Sequence, residues 1–151
     1  ENQGTREIAQ STEYDPSVRI AQFIAGPHLF ADLLYAAENS GYSAIVIHGT
    51  GLGHLPIENP TGDAPENDKL AEAIEKLSIP VIVANQCING PVDLNVYSKG
   101  RNQQKIGVLG HGSTCSPEAL LTKIHWALSN DKDLGILSEN LCGENQTSLM
   151  S

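Results

Sequence analysis

Two polar loop sequences in this chain carry residues that could bind a small polar ligand. Residues 49–54 (GTGLGH) follow the apolar run 44–47 (AIVI) and combine three glycines with a histidine. Residues 85–90 (NQCING) follow a second apolar run, residues 81–84 (VIVA), and are rich in side-chain amides. Glycines allow a backbone to approach a ligand closely, and amides both donate and accept hydrogen bonds. The two loops are therefore compatible with a site for an amino-acid-like ligand.

Simpler interpretations of both loops remain open. The glycine-rich loop can be a plain structural turn, or it can contact a small ligand or another subunit. A dinucleotide-binding loop is disfavoured, because that mode requires a helix to begin at the glycines, whereas Pro56, Pro60 and Pro65 follow instead. In the second loop, Asn85 and Asn89 could equally satisfy backbone groups of the loop itself.

Apolar periodicity predicts the elements that must position these loops. Strands are predicted at residues 18–24, 42–47 and 81–84, with helices at residues 29–41 and 70–77. Consecutive apolar residues in a strand are typical of parallel sheets that are covered on both faces. Residues 116–118 (SPE) predict the start of a further helix, and a last short helix is expected after Asp131. The sequence therefore predicts an α/β fold, a three-layer α/β/α domain with a small parallel sheet.

Composition narrows the classes of function. The 151 residues carry a net charge of −9, which disfavours a general nucleic-acid or membrane surface. An odd number of cysteines, three in all, fits a reducing compartment and predicts a cytoplasmic protein. No apolar run approaches the roughly 18–20 residues that cross a membrane. His111 and Cys115 lack a second ligand pair, so neither a metal nor a cofactor is expected.

The polarity of the two ends sets the predicted boundaries. Residues 1–16 are interpreted as a polar linker, residues 17–144 as the folded domain, and residues 145–151 as a flexible tail. The polar beginning of the sequence suggests that an N-terminal part of a larger protein is missing.

Several segments resemble the C-terminal domain of the type I asparaginase/glutaminase family. The residues that carry the resemblance are 44–56 (AIVIHGTGLGHLP), Gln86-Cys87 with Gly90, 92–97 (VDLNVY) with Gly100-Arg101, Gly107-Val108, 116–119 (SPEA) and Thr122-Lys123. The sequence GTGLGH is most similar to the branch that contains the D subunit of archaeal glutamyl-tRNA(Gln) amidotransferase. The order and spacing of these segments agree over about residues 18–144, nearly the whole chain.

The resemblance implies an amidohydrolase that releases ammonia from asparagine or glutamine through a threonine nucleophile. In this family the nucleophilic threonines and their lysine lie in an N-terminal amidase domain, in GGT-like and TDT-like motifs that do not occur here. Thr50, Thr114 and Thr122 are therefore not expected to be catalytic, and the isolated chain is expected to be inactive. The implied partners are the missing amidase domain, further copies of the chain, and an amidotransferase subunit with its tRNA.

The resemblance also implies which residues contact the small amide substrate. His54 matches the position at which asparaginases commonly have an asparagine. The expected substrate-binding residues are Gly51, His54, Gln86 and Asp93.

Three departures from the family pattern set limits on this interpretation. His48 replaces an acidic residue, Pro91 replaces a basic one, and residues 114–115 (TC) replace Asp-Met. The loss of that acid is expected to weaken capping of the helix that begins after Ser116. An ordinary type I L-asparaginase, or a non-catalytic module for amide binding or dimerisation, are the alternatives.

Overall fold

The computed structural model describes residues 13–86 and 91–145. In chain order these residues form β1 (Ile20–Ile24), α1 (Ala31–Asn39), β2 (Ala44–Gly49), α2 (Pro65–Lys76), β3 (Val81–Asn85), α3 (Ser98–Lys105), α4 (Pro117–Ser129) and a 3-10 helix (Leu134–Ser138). Most of the predicted linker and tail, together with Cys87 and Asn89 of the amide-rich loop, lie outside the described residues. Within the described ranges, no helix has the length and apolar character needed to span a membrane.

A small parallel sheet organises the domain, with β2 between β1 and β3. Val46 of β2 lies opposite Gln22 of β1 and Ile82 of β3. Beyond β3, the Leu109 backbone adds a single parallel bridge to Ile82. The predicted parallel sheet is confirmed, and its strands bring the loops after β2 and β3 to the same end of the sheet.

The side chains of β2 alternate between two apolar clusters on opposite faces of the sheet. Ile45 belongs to the same cluster as Leu34 of α1 and Leu70 of α2. Val46 belongs to a second cluster with Ile124 of α4. All five side chains are fully buried, which explains why this strand is apolar at consecutive positions. The sheet therefore lies between two helical layers, as predicted.

Two side chains bind the N-terminus of α4 and the turn that precedes it. The Ser116 hydroxyl accepts a hydrogen bond from Ala119 N at 3.3 Å. The Asn145 side-chain oxygen accepts from the backbone N–H groups of Thr114 and Cys115, at 2.8 and 3.0 Å. The hydrogen bonding of this turn, which the loss of the acid put in doubt, is therefore supplied by the side chain of Asn145. Asn145, the first residue of the predicted tail, is buried at 5% exposure.

A buried ion pair joins α4 to the segment that precedes Asn145. Lys123 Nζ lies 2.6 Å from Glu144 Oε1, and the two side chains are 4% and 9% exposed. The ammonium group also donates to the backbone carbonyls of Leu137 and Glu139. Burial alone would raise the pKa of Glu144, but hydrogen bonds from Lys123 and from Cys142 N outweigh it and lower that pKa to about 2. The ordered domain therefore extends at least to Asn145.

Part of the predicted linker also contacts α4. The Tyr14 ring stacks on the imidazole of His125, with ring centroids 4.2 Å apart. Asp15 N donates to the Ser129 hydroxyl at 3.1 Å. Residues 14 and 15 are thus anchored on the helical layer opposite α1 and α2.

Candidate functional site

The glycine turn, residues 49–54, is a tight reversal at the carboxyl end of β2. Thr50 N donates to His54 O at 3.0 Å, and His54 N donates to Thr50 O at 2.8 Å. Gly51 and Gly53 have φ angles of +55° and +97°, a region that side-chain-bearing residues rarely adopt. The glycine spacing therefore encodes the shape of this turn directly.

The glycines also allow two backbone segments to touch. A Cβ atom on Gly49 would lie 2.6 Å from the Gly53 carbonyl carbon, which is too close for any side chain. A Cβ on Gly51 would instead point to open space, with His54 Nδ1 at 4.0 Å as its nearest neighbour. Gly49 is thus required for packing, whereas exposed Gly51 leaves open space beside His54 Nδ1.

Gln86 fastens the end of β3 to the end of β2. Its side-chain Nε2 donates to His48 O at 2.7 Å, and its backbone N–H donates to Gly49 O at 3.3 Å. The residue is exposed. Gln86 therefore lies directly beside the glycine turn, as the sequence predicted for two loops at one end of a parallel sheet.

Asp93 belongs to a different loop, residues 91–97, which precedes α3 and packs against the glycine turn. Asp93 N donates to Leu52 O at 3.1 Å. The carboxylate accepts from Asn95 N at 3.0 Å and lies 3.9 Å from His111 Nδ1. His111 Nδ1 in turn accepts from Leu94 N at 3.1 Å. The structure thus brings the segments that carry Gly51, His54, Gln86 and Asp93 together at one end of the sheet.

The His54 imidazole is half-buried and packs edge-on against Tyr97, with centroids 5.6 Å apart. Burial, and less strongly the positive charge of Lys99, lower the pKa of His54 below 6.5, while the Glu58 carboxylate opposes them. The ring is therefore neutral near pH 7. Its Nε2 is hidden from water and, among the described residues, has no hydrogen-bond partner. Such a nitrogen could serve a ligand as either donor or acceptor.

A buried glutamine on α3 holds the backbone on both sides of His54. Gln103 is fully buried, donates from Nε2 to Gly53 O at 2.9 Å and accepts at Oε1 from Leu55 N at 2.8 Å. Sequence reasoning missed this residue. The available signal was its spacing of three from Gly100 and Ile106, which places a polar side chain on the inward face of a short helix.

The three threonines considered in the sequence analysis, Thr50, Thr114 and Thr122, each contact an oxygen atom. The Thr50 hydroxyl faces His54 O at 3.4 Å, and the Thr122 hydroxyl donates to Glu118 O at 3.0 Å. The Thr114 hydroxyl donates to Asn145 at 3.3 Å. These contacts are with carbonyl or amide oxygens, which do not activate a hydroxyl as a neighbouring lysine or histidine would. The described residues also contain no cluster of side chains that could hold a metal ion.

Comparison with known proteins places this geometry in context. A profile of the family described as "Glutaminase/Asparaginase C-terminal domain" matches residues 18–139. The chain is 34% identical, over 134 residues, to the D subunit of glutamyl-tRNA(Gln) amidotransferase from Thermococcus kodakarensis, covering 87% of this chain and 27% of that protein. The corresponding protein of Metallosphaera sedula is 38% identical over 122 residues, with 78% and 26% covered. The chain spans about a quarter to a third of the length of the curated relatives it matches.

Solved structures show the same architecture. The thermostable L-asparaginase from Thermococcus kodakarensis aligns with a TM-score of 0.73 and 30% identity, covering 90% of this chain and 40% of that one. L-asparaginase I from Vibrio cholerae aligns with a TM-score of 0.69 over 84% of this chain and 37% of that one. Its 23% identity supports the fold alone.

Proposed function

Because the chain belongs to the glutaminase/asparaginase C-terminal domain family, we propose that its glycine turn supplies substrate-binding residues to an amidohydrolase site whose threonine nucleophile lies outside this chain. The proposal depends mainly on one observation. The neutral His54 imidazole carries a hidden nitrogen that has no partner among the described residues. A buried polar atom without a partner costs about 1–3 kcal/mol, so a ligand group that reaches this nitrogen would recover that free energy.

The substrate class follows from the chemistry of a neutral imidazole. A carboxamide offers both an N–H donor and a carbonyl acceptor, and a neutral imidazole can match either one. We therefore propose that His54 binds the amide or amino-acid end of glutamine or asparagine. Gly51 leaves space beside the Nδ1 edge of the imidazole, and Gln86 and Asp93 complete the rim of the proposed site from the adjacent strand end and loop.

The names of the similar proteins suggest a wider assembly. Several of them are subunits of a glutamyl-tRNA(Gln) amidotransferase, and the chain matches only part of their length. We propose that this chain works with an amidase domain, as a cytoplasmic homo-oligomer, and that released ammonia passes to a partner amidotransferase subunit that acts on tRNA. An ordinary asparaginase activity is the alternative within the same family.

A chimera would test the role of His54. Residues 13–145 would replace the matching domain of the Thermococcus kodakarensis L-asparaginase, and ammonia release from asparagine and glutamine would be measured. We expect an active chimera in which His54→Ala lowers kcat/KM at least tenfold, equivalent to about 1.4 kcal/mol of lost transition-state stabilisation.

His125→Ala is the matched control. His125 is also a half-buried histidine with a hidden Nε2 that lacks a partner among the described residues, but it lies on α4 and stacks on Tyr14. An active, folded chimera whose kcat/KM is insensitive to His54→Ala would refute the proposed binding role. Equal losses in both variants would point to a general effect on folding instead and would also count against it.

A further inference from the structure

The amide of Gln103 spans the backbone on either side of His54. It reaches across 50 residues of sequence to Gly53 O and across 48 residues to Leu55 N. The first of these groups is an acceptor and the second is a donor, and a single side-chain amide satisfies both. An apolar side chain of the same length would leave both buried backbone groups without this partner, which is unfavourable in a site removed from water.

The helix that carries Gln103 is itself fixed against the neighbouring loop. Gly100, one turn earlier on α3, is buried, and a Cβ atom there would lie 2.5 Å from Leu94 O. The Arg101 guanidinium on the same helix donates to Asn95 O at 2.9 Å. α3 therefore holds residues 91–97, including Tyr97, in a fixed relation to its own backbone.

Two parts of the structure fix the position of the His54 ring: its own backbone and the loop that carries Tyr97. Both contact α3. Through Gln103 the helix holds the backbone that carries the imidazole, and through Gly100 and Arg101 it holds the loop that carries Tyr97. Lys99, whose charge acts on His54, belongs to the same helix. The glycine turn is closed by its own two hydrogen bonds between Thr50 and His54, and Gln103 adds a contact to the backbone on either side of the imidazole.

We infer that Gln103 is the positioning residue for His54: its buried amide clamps Gly53 and Leu55 and so holds the imidazole against Tyr97. The inference rests on the proposed binding role of His54 for its functional meaning. The clamp itself is a local geometric arrangement that can be tested in the full chain without any substrate.

Nuclear magnetic resonance on the full chain would test the clamp through His54 itself. Gln103→Met preserves side-chain length but removes both hydrogen-bonding groups. We expect the Gly53 and Leu55 amide signals to shift and the His54 pKa to rise toward its ordinary value, because the loosened turn exposes the ring. Gln22→Met, at an exposed glutamine that pairs with His48, is the matched control and should leave both readouts unchanged.

Gln103→Glu provides a conservative rescue. A protonated carboxyl group has one donor and one acceptor, so it can still bind Gly53 O and Leu55 N, whereas the ionised form has no donor. We expect the Gly53 and Leu55 signals to match the wild type, compared at equal pH, while the carboxyl is protonated, and to depart from it on ionisation.

Two results would overturn the inference. One is a folded Gln103→Met chain with wild-type His54 pKa and wild-type Gly53 and Leu55 signals. The other, which needs no substitution, is a Leu55 amide in the wild type that exchanges with solvent as fast as an unprotected amide. Neither result depends on substrate, so failure of the clamp and failure of the proposed His54 binding role can be told apart.

Discussion

His54 lies in surroundings that favour its uncharged form. Burial and the nearby Lys99 charge lower its pKa below the ordinary 6.5. In the unfolded chain this imidazole takes up a proton at higher pH than in the folded chain. The uncharged His54 therefore favours the folded chain above pH 6.5. This contribution to the free energy of unfolding is lost as pH falls from the unfolded pKa, 6.5, through the lower folded pKa.

Replacing His54 should make the protein less sensitive to mild acid. We expect the loss of stability between about pH 7.5 and about pH 5.5 to be smaller in His54→Gln than in the wild type. Urea unfolding midpoints at the two pH values would measure the difference. His28→Gln, at an exposed histidine, is the control. If the stability of His54→Gln depended on pH as that of the wild type does, His54 would not be the source of the expected loss of stability in mild acid.

At the residue scale, the sequence reveals what is local and hides what is distant. The glycine turn could be predicted because Gly51 and Gly53 act through their own backbone angles. The spacing of Gln103 from Gly100 and Ile106 could indicate that it faces inward, but not its partners, because these are backbone groups about 50 residues away. The hidden Nε2 of His54 is a property of packing and was also beyond reach.

At the scale of elements, the cap of α4 and the support of the turn before it act over different ranges of sequence. Ser116 lies at the N-cap position and serves its own helix, as the sequence predicted. Asn145 comes from a segment beyond the 3-10 helix and uses its oxygen for Thr114 N and Cys115 N. Its amide nitrogen donates to Leu137 O at 3.1 Å. One asparagine therefore ties the beginning of α4 to the end of the described chain.

Loss of the Ser116 cap and loss of the Asn145 side chain should have unequal effects on stability. Ser116→Ala is expected to cost about 1 kcal/mol, the usual value for an N-cap. Asn145→Ala should cost more, about 2 kcal/mol, because the buried Asn145 amide binds Thr114 N, Cys115 N and Leu137 O, and the substitution removes all three hydrogen bonds. Thermal or urea unfolding of the full chain would measure both changes. A smaller loss for Asn145→Ala than for Ser116→Ala would mean that residue 145 behaves as part of a flexible tail after all.

Helices and strands could be predicted where apolar residues recur at a regular spacing. The burial of a segment could not be predicted where it depends on a single long-range contact. The consecutive apolar residues of β2 reflect coverage on both sides of the sheet, and the structure shows that coverage. The pattern predicts helices on both faces of the sheet, whereas the assignment of α1 and α2 to one layer and α4 to the other comes from the structure. In contrast, nothing in the polar composition after residue 139 signals that Glu144 and Asn145 are buried.

At the scale of the whole molecule, the fold brings the segments of the candidate site together at one end of the sheet. The hydroxyls of Thr50, Thr114 and Thr122 contact carbonyl and amide oxygens, and the family match is to a C-terminal domain. The chain also spans a minor share of its relatives. These features agree with a domain that contributes to a reaction rather than performing it alone.

The purified chain should therefore release no ammonia from glutamine or asparagine above the buffer rate. A coupled assay for ammonia over a long incubation would measure this, with the active chimera described above as the positive control. Turnover by the isolated chain that persists through repeated purification and disappears in His54→Ala would show that this domain carries its own nucleophile.

The salt bridge between Lys123 and Glu144 has a practical consequence for anyone trimming this protein. The family match ends at residue 139, so a fragment cut at that limit would keep Lys123 and lose the Glu144 carboxylate that pairs with it. Leaving one member of a buried ion pair without its partner costs about 3–5 kcal/mol. That is a large share of the free energy of unfolding of a small domain. Such a fragment would be prone to misfold even though residues 49–54 are intact. An inactive chimera built from that fragment would therefore say nothing about the role of His54.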